Sequence, residues 1–290
     1  MPESERARAV RLIGDVPSTS AGELRGYLRA REPLVRRAAL AAAAWTASPG
    51  SVLGDLLEHA TGDDAHVAVY AAARAARFTP PSALPAALTP VLAGGKITAR
   101  KEAVRLIARH RAPGAEGILA QAWDREGQHR DVRTAIVSAA RQLLDLPVSE
   151  RILTEAVEGS RDLARQVLGA APLTVEPRHR ARYAGLVVNA ARSADPTVRG
   201  EALGWLPSWA SWSPEATGTL AARFQDLSET TTWRIALDGL VACALSDDAG
   251  TELRDAIAAL ATADETADAE PERDLPAGQP LDAAVSALSA

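Results

Sequence analysis

The chain has 290 residues and a formal net charge of −5, and 47% of its residues are hydrophobic while only 4% are aromatic. A core with so few aromatic side chains must consist mainly of Ala, Leu and Val, which suits closely packed helices and disfavours a β-sandwich. The single cysteine, Cys243, excludes an intrachain disulfide and fits a reducing compartment. No uncharged apolar stretch of about 18 residues occurs, and the acidic N-terminus does not look like a secretory signal. We therefore expect a cytoplasmic protein without membrane contact.

Apolar residues at helical spacing predict an all-α protein, which begins with a lone amphipathic helix over residues 2–13. Seven helix pairs are predicted to follow, over residues 20–29 and 33–46, 51–59 and 65–77, 82–92 and 97–109, 113–123 and 131–144, 149–157 and 161–169, 178–192 and 196–206, and 214–226 and 231–244. Pro85 and Pro90 fall inside the first helix of the third pair, which should be kinked or short. A final helix over residues 251–260 is predicted to close the row.

These helices predict one repeat array over residues 1–262. The remaining residues, 263–290, are predicted to form a disordered acidic tail, because they contain prolines and many acidic residues and no aromatics.

Charge is uneven along the chain. Residues 1–200 hold 28 Lys and Arg against 21 Asp and Glu, whereas residues 201–290 hold 4 against 16. The basic part could attract an acidic partner. Only two of the cations are lysines, and this arginine bias with abundant alanine is typical of a high-GC bacterial genome, so we discount it as functional evidence.

One segment recurs along the chain at a nearly constant spacing, and its clearest copy is ADPTVRGEALGWL at residues 194–206. In each copy an anchor residue opens an apolar stripe at helical spacing. The anchors are Val35, Val67, Ala99, Val132, Ala164, Val198 and Trp233. Because the spacing stays between 32 and 35 residues, it predicts a solenoid of stacked helix pairs.

The D-x-x-V-R-x-x-A-L pattern at residues 195–203 resembles the second helix of a HEAT repeat, particularly the short bacterial type. The resemblance covers residues 20–261 and implies a right-handed α-solenoid of about seven helix pairs. HEAT arrays serve mainly as binding scaffolds and only occasionally as enzymes. The copies depart from the pattern, since Asp lies three residues before the anchor only at Asp64 and Asp195, and Ala68 replaces the arginine.

An arginine follows six of the seven anchors, and the resemblance implies that these arginines form a ladder with acidic groups of the same or the next repeat. The alternative is an electropositive strip along the inner surface. The six residues are Arg36, Arg100, Arg133, Arg165, Arg199 and Arg234.

Positions two and six residues after each anchor are expected to face the concave side of the solenoid. They are mostly small, for example Val69 and Ala73 in the second copy, with a basic centre at Lys101, Arg105 and Arg141. A smooth groove of this kind suits an extended or helical protein segment. The alternative is an ordinary solvated helix face.

Three tryptophans fall within eight residues, and they provide the second candidate surface. Trp205 lies on the core stripe and is predicted to pack. Trp209 and Trp212 lie in the connection before Pro214, and because tryptophan is frequent among interface anchors they are candidate partner contacts. The alternative is that both fold back to seal the seam between the sixth and seventh pairs.

Catalytic interpretations have less support. Some HEAT-like arrays are DNA glycosylases that use aromatics and a carboxylate, and Trp45, Trp123 with Asp124, and Trp205 invite the comparison. The inner helices lack a repeated aromatic and carboxylate pairing, and the acidic C-terminal part would repel phosphate.

Other kinds of catalytic site have no support in the sequence. The five histidines show no metal-binding spacing. Cys243 is predicted to be a buried thiol, and no nucleotide-binding or hydrolase motif occurs.

The sequence therefore predicts a non-catalytic scaffold or adaptor that binds a protein on its concave face, with no cofactor and no metal. The predicted contacts are Lys101, Arg105, Arg141, Trp209 and Trp212. The alternative is a DNA-acting HEAT-like protein, a glycosylase or a duplex binder. A chaperone role like that of bilin lyases is a third interpretation, which no residue favours.

Overall fold

A computed structural model describes residues 2–14, 21–46, 48–125, 127–226 and 230–244, and these residues form fifteen α-helices without any β-strand. The predicted helix over residues 251–260 and the predicted tail over residues 263–290 lie outside the described residues. No helix in the described ranges is both long enough and apolar enough to cross a lipid bilayer.

The helices follow the predicted order closely. The first helix, α1, covers Glu3–Gly14. Seven pairs follow: α2 (Ala21–Leu28) and α3 (Pro33–Ala43), α4 (Leu53–Glu58) and α5 (Ala65–Phe78), α6 (Leu84–Gly94) and α7 (Ile97–Arg109), α8 (Ala115–Asp124) and α9 (Arg130–Gln142), α10 (Pro147–Gly159) and α11 (Arg161–Leu168), α12 (Arg180–Ala191) and α13 (Pro196–Trp205), and α14 (Pro214–Gln225) and α15 (Thr230–Ala244).

The chain divides into two compact units, Met1–Leu153 and Thr154–Ala290, with the division inside α10. In the first unit α3 packs against α2 and α5, α5 against α4 and α7, and α7 against α6 and α9. In the second unit α13 packs against α12, α11 and α15. A helix thus contacts its pair partner and the equivalent helices of neighbouring pairs, which is the packing of an α-solenoid. The predicted all-α solenoid class is confirmed, and its handedness stays a prediction.

The core of the first unit is a seam of small side chains on the second helix of each pair. On α3 the residues Ala38, Ala39 and Ala42 are buried, and on α7 Ala99 and Ala103 are fully buried. The first helices of the pairs contribute leucines to the same core, including Leu56 and Leu88. Alanine lets neighbouring helices approach closely, and the leucines fill the space between the two rows.

Local sequence signals explain the helix ends. The Asp195 carboxylate accepts hydrogen bonds from the backbone N–H groups of Thr197 and Val198 at 2.7 and 3.4 Å, which caps α13. Ser160 caps α11 in the same way. Pro90 lies inside α6, and the helix continues through it to Gly94, so this proline does not end the helix.

The buried stripe of α5 differs from the prediction by one residue. Val67 is only half-buried, whereas Ala68 is fully buried together with Ala71, Ala72, Ala75 and Ala76. The true anchor of the second copy is therefore Ala68, because close packing selects the alanine stripe over the two flanking valines. The positions two and six residues after the anchor, which were predicted to face the concave side, therefore move by one residue, from Val69 and Ala73 to Tyr70 and Arg74.

Candidate functional site

The predicted basic centre lies on two neighbouring helices of the first unit. Lys101 and Arg105 belong to α7, and Arg141 belongs to α9, which packs directly against α7. Lys101 Nζ lies 3.4 Å from the Asp131 carboxylate, and Arg105 forms an ion pair with Glu102 one helical turn away. Arg105 is exposed and Arg141 is half-buried. Two of the three cations are therefore partly neutralised by acidic neighbours.

The predicted tryptophan contacts belong to the second unit and differ from each other in burial. Trp209 is fully buried, with its ring centroid 5.0 Å from that of Tyr183 on α12. Trp212 is half-buried, 6.1 Å from the Trp209 ring centroid and 5.5 Å from the Arg180 guanidinium. A fully buried side chain offers no surface to a partner, so Trp209 is a core residue here.

Trp205 was expected to be a core packing residue, but 41% of it is exposed, and its ring lies at the surface against Gly169, which follows α11. The buried stripe of α13 runs through Val198, Ala202 and Leu206, and it includes Leu203 on its other side. Trp205 therefore lies beyond the edge of this stripe, and its Nε1 donates to the Glu201 carboxylate at 3.4 Å.

The described surface of the first unit carries a compact group of exposed aromatic side chains around one arginine. Trp45 follows α3 and is 51% exposed, and Phe78 ends α5 and is 54% exposed. Their ring centroids are 6.2 Å apart. The Arg74 guanidinium lies 3.5 Å from the Trp45 centroid and 5.6 Å from the Phe78 centroid. We call these three residues the aromatic–arginine cluster.

Tyr70 extends the surface of this cluster along α5. It lies one helical turn before Arg74 and is 67% exposed. With Ala68 as the anchor, Tyr70 and Arg74 occupy the two positions that were expected to face the concave side of the solenoid. Phe78 follows one further turn along the same stripe. The three residues therefore line one face of α5, and Trp45 reaches this face from the end of α3.

Arg74 is held without an acidic partner. Its Nε atom is buried and unbonded, and among the described residues no carboxylate or other hydrogen-bonding group pairs with its guanidinium. The aromatic rings supply the attraction that keeps this charge in place, since a cation over the face of Trp or Phe is stabilised by the ring quadrupole. The guanidinium thus retains unused capacity to donate hydrogen bonds to an anion.

The stretch of sequence from α5 to α7 carries an excess of cations. Residues 65–115, which include α5, α6 and α7, hold eight Lys and Arg and a single acidic residue, Glu102. Beyond Arg74, the cations Arg77, Lys96 and Arg109 form no ion pair with the described residues. This concentration of unpaired charge should attract an acidic partner to the first unit.

A groove adjoins the cluster at Phe78. It has a volume of about 910 Å³ and runs between α4 and α6. It is lined by small and apolar residues, including Gly54, Ala87 and Val91, and by Phe78. The ion pair of Arg25 with Asp55 and the exposed Glu58 also line it. The aromatic–arginine cluster and the groove therefore form one continuous surface on the first unit.

The repeated arginines make structural contacts of several kinds. Arg36 Nε donates to the Asp64 carboxylate of the next pair at 2.5 Å, and Arg165 Nε donates to Glu201 at 3.1 Å. Arg100 donates instead to the Gln128 amide oxygen, and Arg199 donates to backbone carbonyls in the turn before its own helix. Acidic partners thus occur for two of these four arginines, and neutral acceptors serve the other two.

The residues that invited a comparison with DNA glycosylases are separated by their structural roles. Trp123 is buried, with the Arg133 guanidinium 5.0 Å from its ring centroid. Asp124 forms an ion pair with Arg151 at 3.0 Å. Trp45 belongs to the aromatic–arginine cluster, which contains no carboxylate. Within the described residues no three His, Cys, Asp or Glu side chains come together as a group that could hold a metal ion.

Comparisons with known proteins do not identify a family for this chain. No protein-family model matches it, and no curated protein matches it significantly. One matching structure is a homology model of the full-length AP-3 complex in an intermediate open conformation, with a TM-score of 0.34 and 11% identity, covering 89% of this chain and 57% of that chain. Another is a crystal structure of an engineered protein, with a TM-score of 0.39 and 18% identity, covering 98% of this chain and 84% of that chain. These similarities are too low to bear on function.

Proposed function

We propose that this chain is a non-catalytic, cytoplasmic scaffold of HEAT-like repeats that binds a partner protein on its concave face, through the residues of α3, α5 and α7 that point away from the core. The observation that supports the proposal most directly is the aromatic–arginine cluster, because exposed Trp and Phe rings grouped around an unpaired Arg are the residue types that dominate protein interfaces. Trp45 and Phe78 are both more than half exposed and lie together around Arg74, as in a binding surface.

Lys101, Arg105 and Arg141 remain part of the proposal as its basic flank. Lys101 and Arg105 lie on α7, which packs against α5, and Arg141 lies on α9. Charged groups at the edge of an interface raise the rate of association and guide orientation more than they raise affinity. We therefore propose that these three cations steer the partner protein during association, and that the aromatic–arginine cluster makes the main contact with it. Trp212, which is half-buried in the second unit, stays a separate prediction.

Affinity capture with matched variants tests the binding face. Trp45→Ala removes the cluster, and Leu173→Ala is the control because Leu173 is an apolar residue of the second unit that is 83% exposed. A partner protein should be captured by the parent chain and by Leu173→Ala and should be lost with Trp45→Ala. Equal capture by both variants would count against this face, and circular dichroism would verify that each variant is folded.

Duplex DNA is the second candidate ligand, favoured by the excess of cations in residues 65–115. Binding through these residues should weaken steeply with salt, because phosphate contacts release counterions. Fluorescence anisotropy of a labelled duplex at low salt measures this directly. Salt-sensitive binding that is lost when Lys101, Arg105 and Arg141 are replaced by Glu would favour DNA, and absence of binding removes this candidate.

A further inference from the structure

The aromatic–arginine cluster indicates which chemical class of protein the binding face accepts. The reason is that the Arg74 guanidinium forms no ion pair with the described residues. The Arg74 guanidinium lies over the Trp45 ring, 3.5 Å from its centroid, and this contact holds it at the surface. Its Nε is buried and unbonded, and the described residues offer it no carboxylate. A carboxylate supplied by a ligand could accept two parallel hydrogen bonds from the planar guanidinium, which is the strongest arrangement for such a pair.

The surroundings favour an anion that carries apolar neighbours. The unpaired cations Arg77, Lys96 and Arg109 belong to the same part of the first unit, on α5, on α7 or just before α7, and they favour the approach of an acidic partner to this unit. The exposed faces of Tyr70 and Phe78 offer apolar contact beside Arg74. Phe78 also lines the groove between α4 and α6, whose small side chains leave room for an extended chain. Because Asp55 and Glu58 also line this groove, it suits the apolar side chains of a segment, and the carboxylate belongs at Arg74.

A nucleic acid fits this arrangement less well than a peptide does. Single-stranded nucleic acids bind by stacking bases on aromatic faces. The Arg74 guanidinium already covers one face of Trp45, and it also approaches Phe78 at 5.6 Å. The rings therefore serve to hold the arginine, and the arginine is the group that meets the ligand.

We propose that the aromatic–arginine cluster is a receptor for an acidic peptide segment, in which Arg74 binds an Asp or Glu carboxylate and neighbouring apolar side chains of the segment contact Tyr70, Phe78 and the adjoining groove. This assignment rests on the proposed protein-binding function and specifies the chemistry of the partner.

The test uses fluorescein-labelled peptides and the full chain. The probes are a peptide of repeated Glu-Pro-Leu units, its Gln-Pro-Leu counterpart, its phosphoserine-Pro-Leu counterpart and a duplex DNA, each followed by fluorescence anisotropy at low salt. The Glu peptide should bind at least about tenfold more tightly than the Gln peptide, because a charge-assisted pair is lost in the latter.

Two charge-conserving variants separate the role of Arg74 from general electrostatics. Arg74→Lys keeps the charge but loses the planar fork and the ring stacking. Arg77→Lys is the matched control, since Arg77 is an exposed arginine on the same helix. Arg74→Lys should weaken binding of the Glu peptide about tenfold or more, whereas Arg77→Lys should leave it within about twofold. Thermal unfolding checks that both variants remain folded.

Several outcomes overturn the assignment. Equal binding of the Glu and Gln peptides, equal effects of the two variants, or no peptide binding at low salt would each contradict a carboxylate receptor. Tighter, Arg74-dependent binding of the phosphoserine peptide or of the duplex would assign the cluster to phosphate instead. If Trp45→Ala still abolishes capture of a protein while any of these results holds, the binding face stands and only its acidic specificity fails.

Discussion

Asp64 links two neighbouring helix pairs through a single carboxylate. Only 4% of the residue is exposed, and its two oxygens accept hydrogen bonds from Arg36 Nε at 2.5 Å and Arg37 Nε at 2.6 Å. Burial alone would raise the pKa of the Asp64 carboxyl, but the hydrogen bonds from Arg37 and Arg36 and the attraction of both charges lower the pKa overall. The ionised form is therefore the one that stabilises the fold.

Asp64→Asn should lower the free energy of unfolding by about 1–2 kcal/mol at neutral pH, because two arginines lose a charged acceptor. Since the pKa is lowered in the folded state, this contribution is present above the ordinary carboxyl pKa of 3.8 and is lost as pH falls through the folded value. Urea unfolding of the parent chain and the variant should thus converge in acid. A difference that stays constant from neutral pH down to pH values below 3.8 would contradict this role.

Trp209 and Trp205 form a matched pair of tryptophans in the second unit, one fully buried and one 41% exposed. Trp209→Ala should cost about 3–5 kcal/mol, because it leaves a large cavity beside Tyr183. Trp205→Ala should cost about 1 kcal/mol or less. Urea unfolding of both variants measures the two values. A similar loss of unfolding free energy in the two variants would contradict the buried position of Trp209.

At the scale of the helix, the alanine seam is the feature on which the stacking depends. Ala39 is fully buried on α3, and Ala41 is exposed two residues later on the same helix. Their opposite environments result from the helical period, which turns positions two apart to different sides.

Ala39→Leu should therefore destabilise the fold by about 1–3 kcal/mol, because the larger side chain forces the packed helices apart. Ala41→Leu should change stability little, since Leu and Ala have similar helix propensities and this position meets solvent. Thermal unfolding of the two variants provides the comparison. A similar melting temperature for both would show that the seam tolerates bulk and that close approach of the helices is unnecessary.

The helices could be predicted from the sequence because period, proline and capping signals agree. The register of α5 could not, since AHVAVYAAARAARF contains apolar residues on several faces, and the valines outweigh the alanines in hydrophobicity alone. In the structure five alanines of α5 are buried and both valines are half-buried, whereas the valine anchors Val35 and Val132 of other pairs are fully buried. This one-residue shift concealed Tyr70 and Arg74 as surface residues.

The contacts of the polar side chains were the least predictable feature. The recurrence of arginine after the anchors is visible in the sequence. The hydrogen-bond acceptor of each arginine, however, depends on which residue of a neighbouring turn lies within reach in the folded chain. Arg36 meets Asp64, whereas Arg100 meets Gln128. Trp45 and Phe78 are 33 residues apart in sequence. Their meeting around Arg74 depends on helix register, and therefore on the packing itself.

At the scale of the whole chain, the net charge of −5 conceals an opposite balance in the two parts. Residues 1–153 hold 21 Lys and Arg against 16 Asp and Glu, and residues 154–290 hold 11 against 21. The basic excess of the first unit is concentrated in residues 65–115, where the aromatic–arginine cluster lies. This distribution supports the assignment of the binding face to the first unit, which rests mainly on the cluster.

Photo-crosslinking from defined positions tests the binding face most directly. A photoreactive amino acid in place of Tyr70, which is 67% exposed beside the cluster, should crosslink to a partner protein in cells of the source organism. The same amino acid in place of Leu173, which is 83% exposed in the second unit, is the control. The proposed function predicts one protein crosslinked at position 70 and absent at position 173, as identified by mass spectrometry. Equal crosslinking at both positions, or none at position 70, would contradict it.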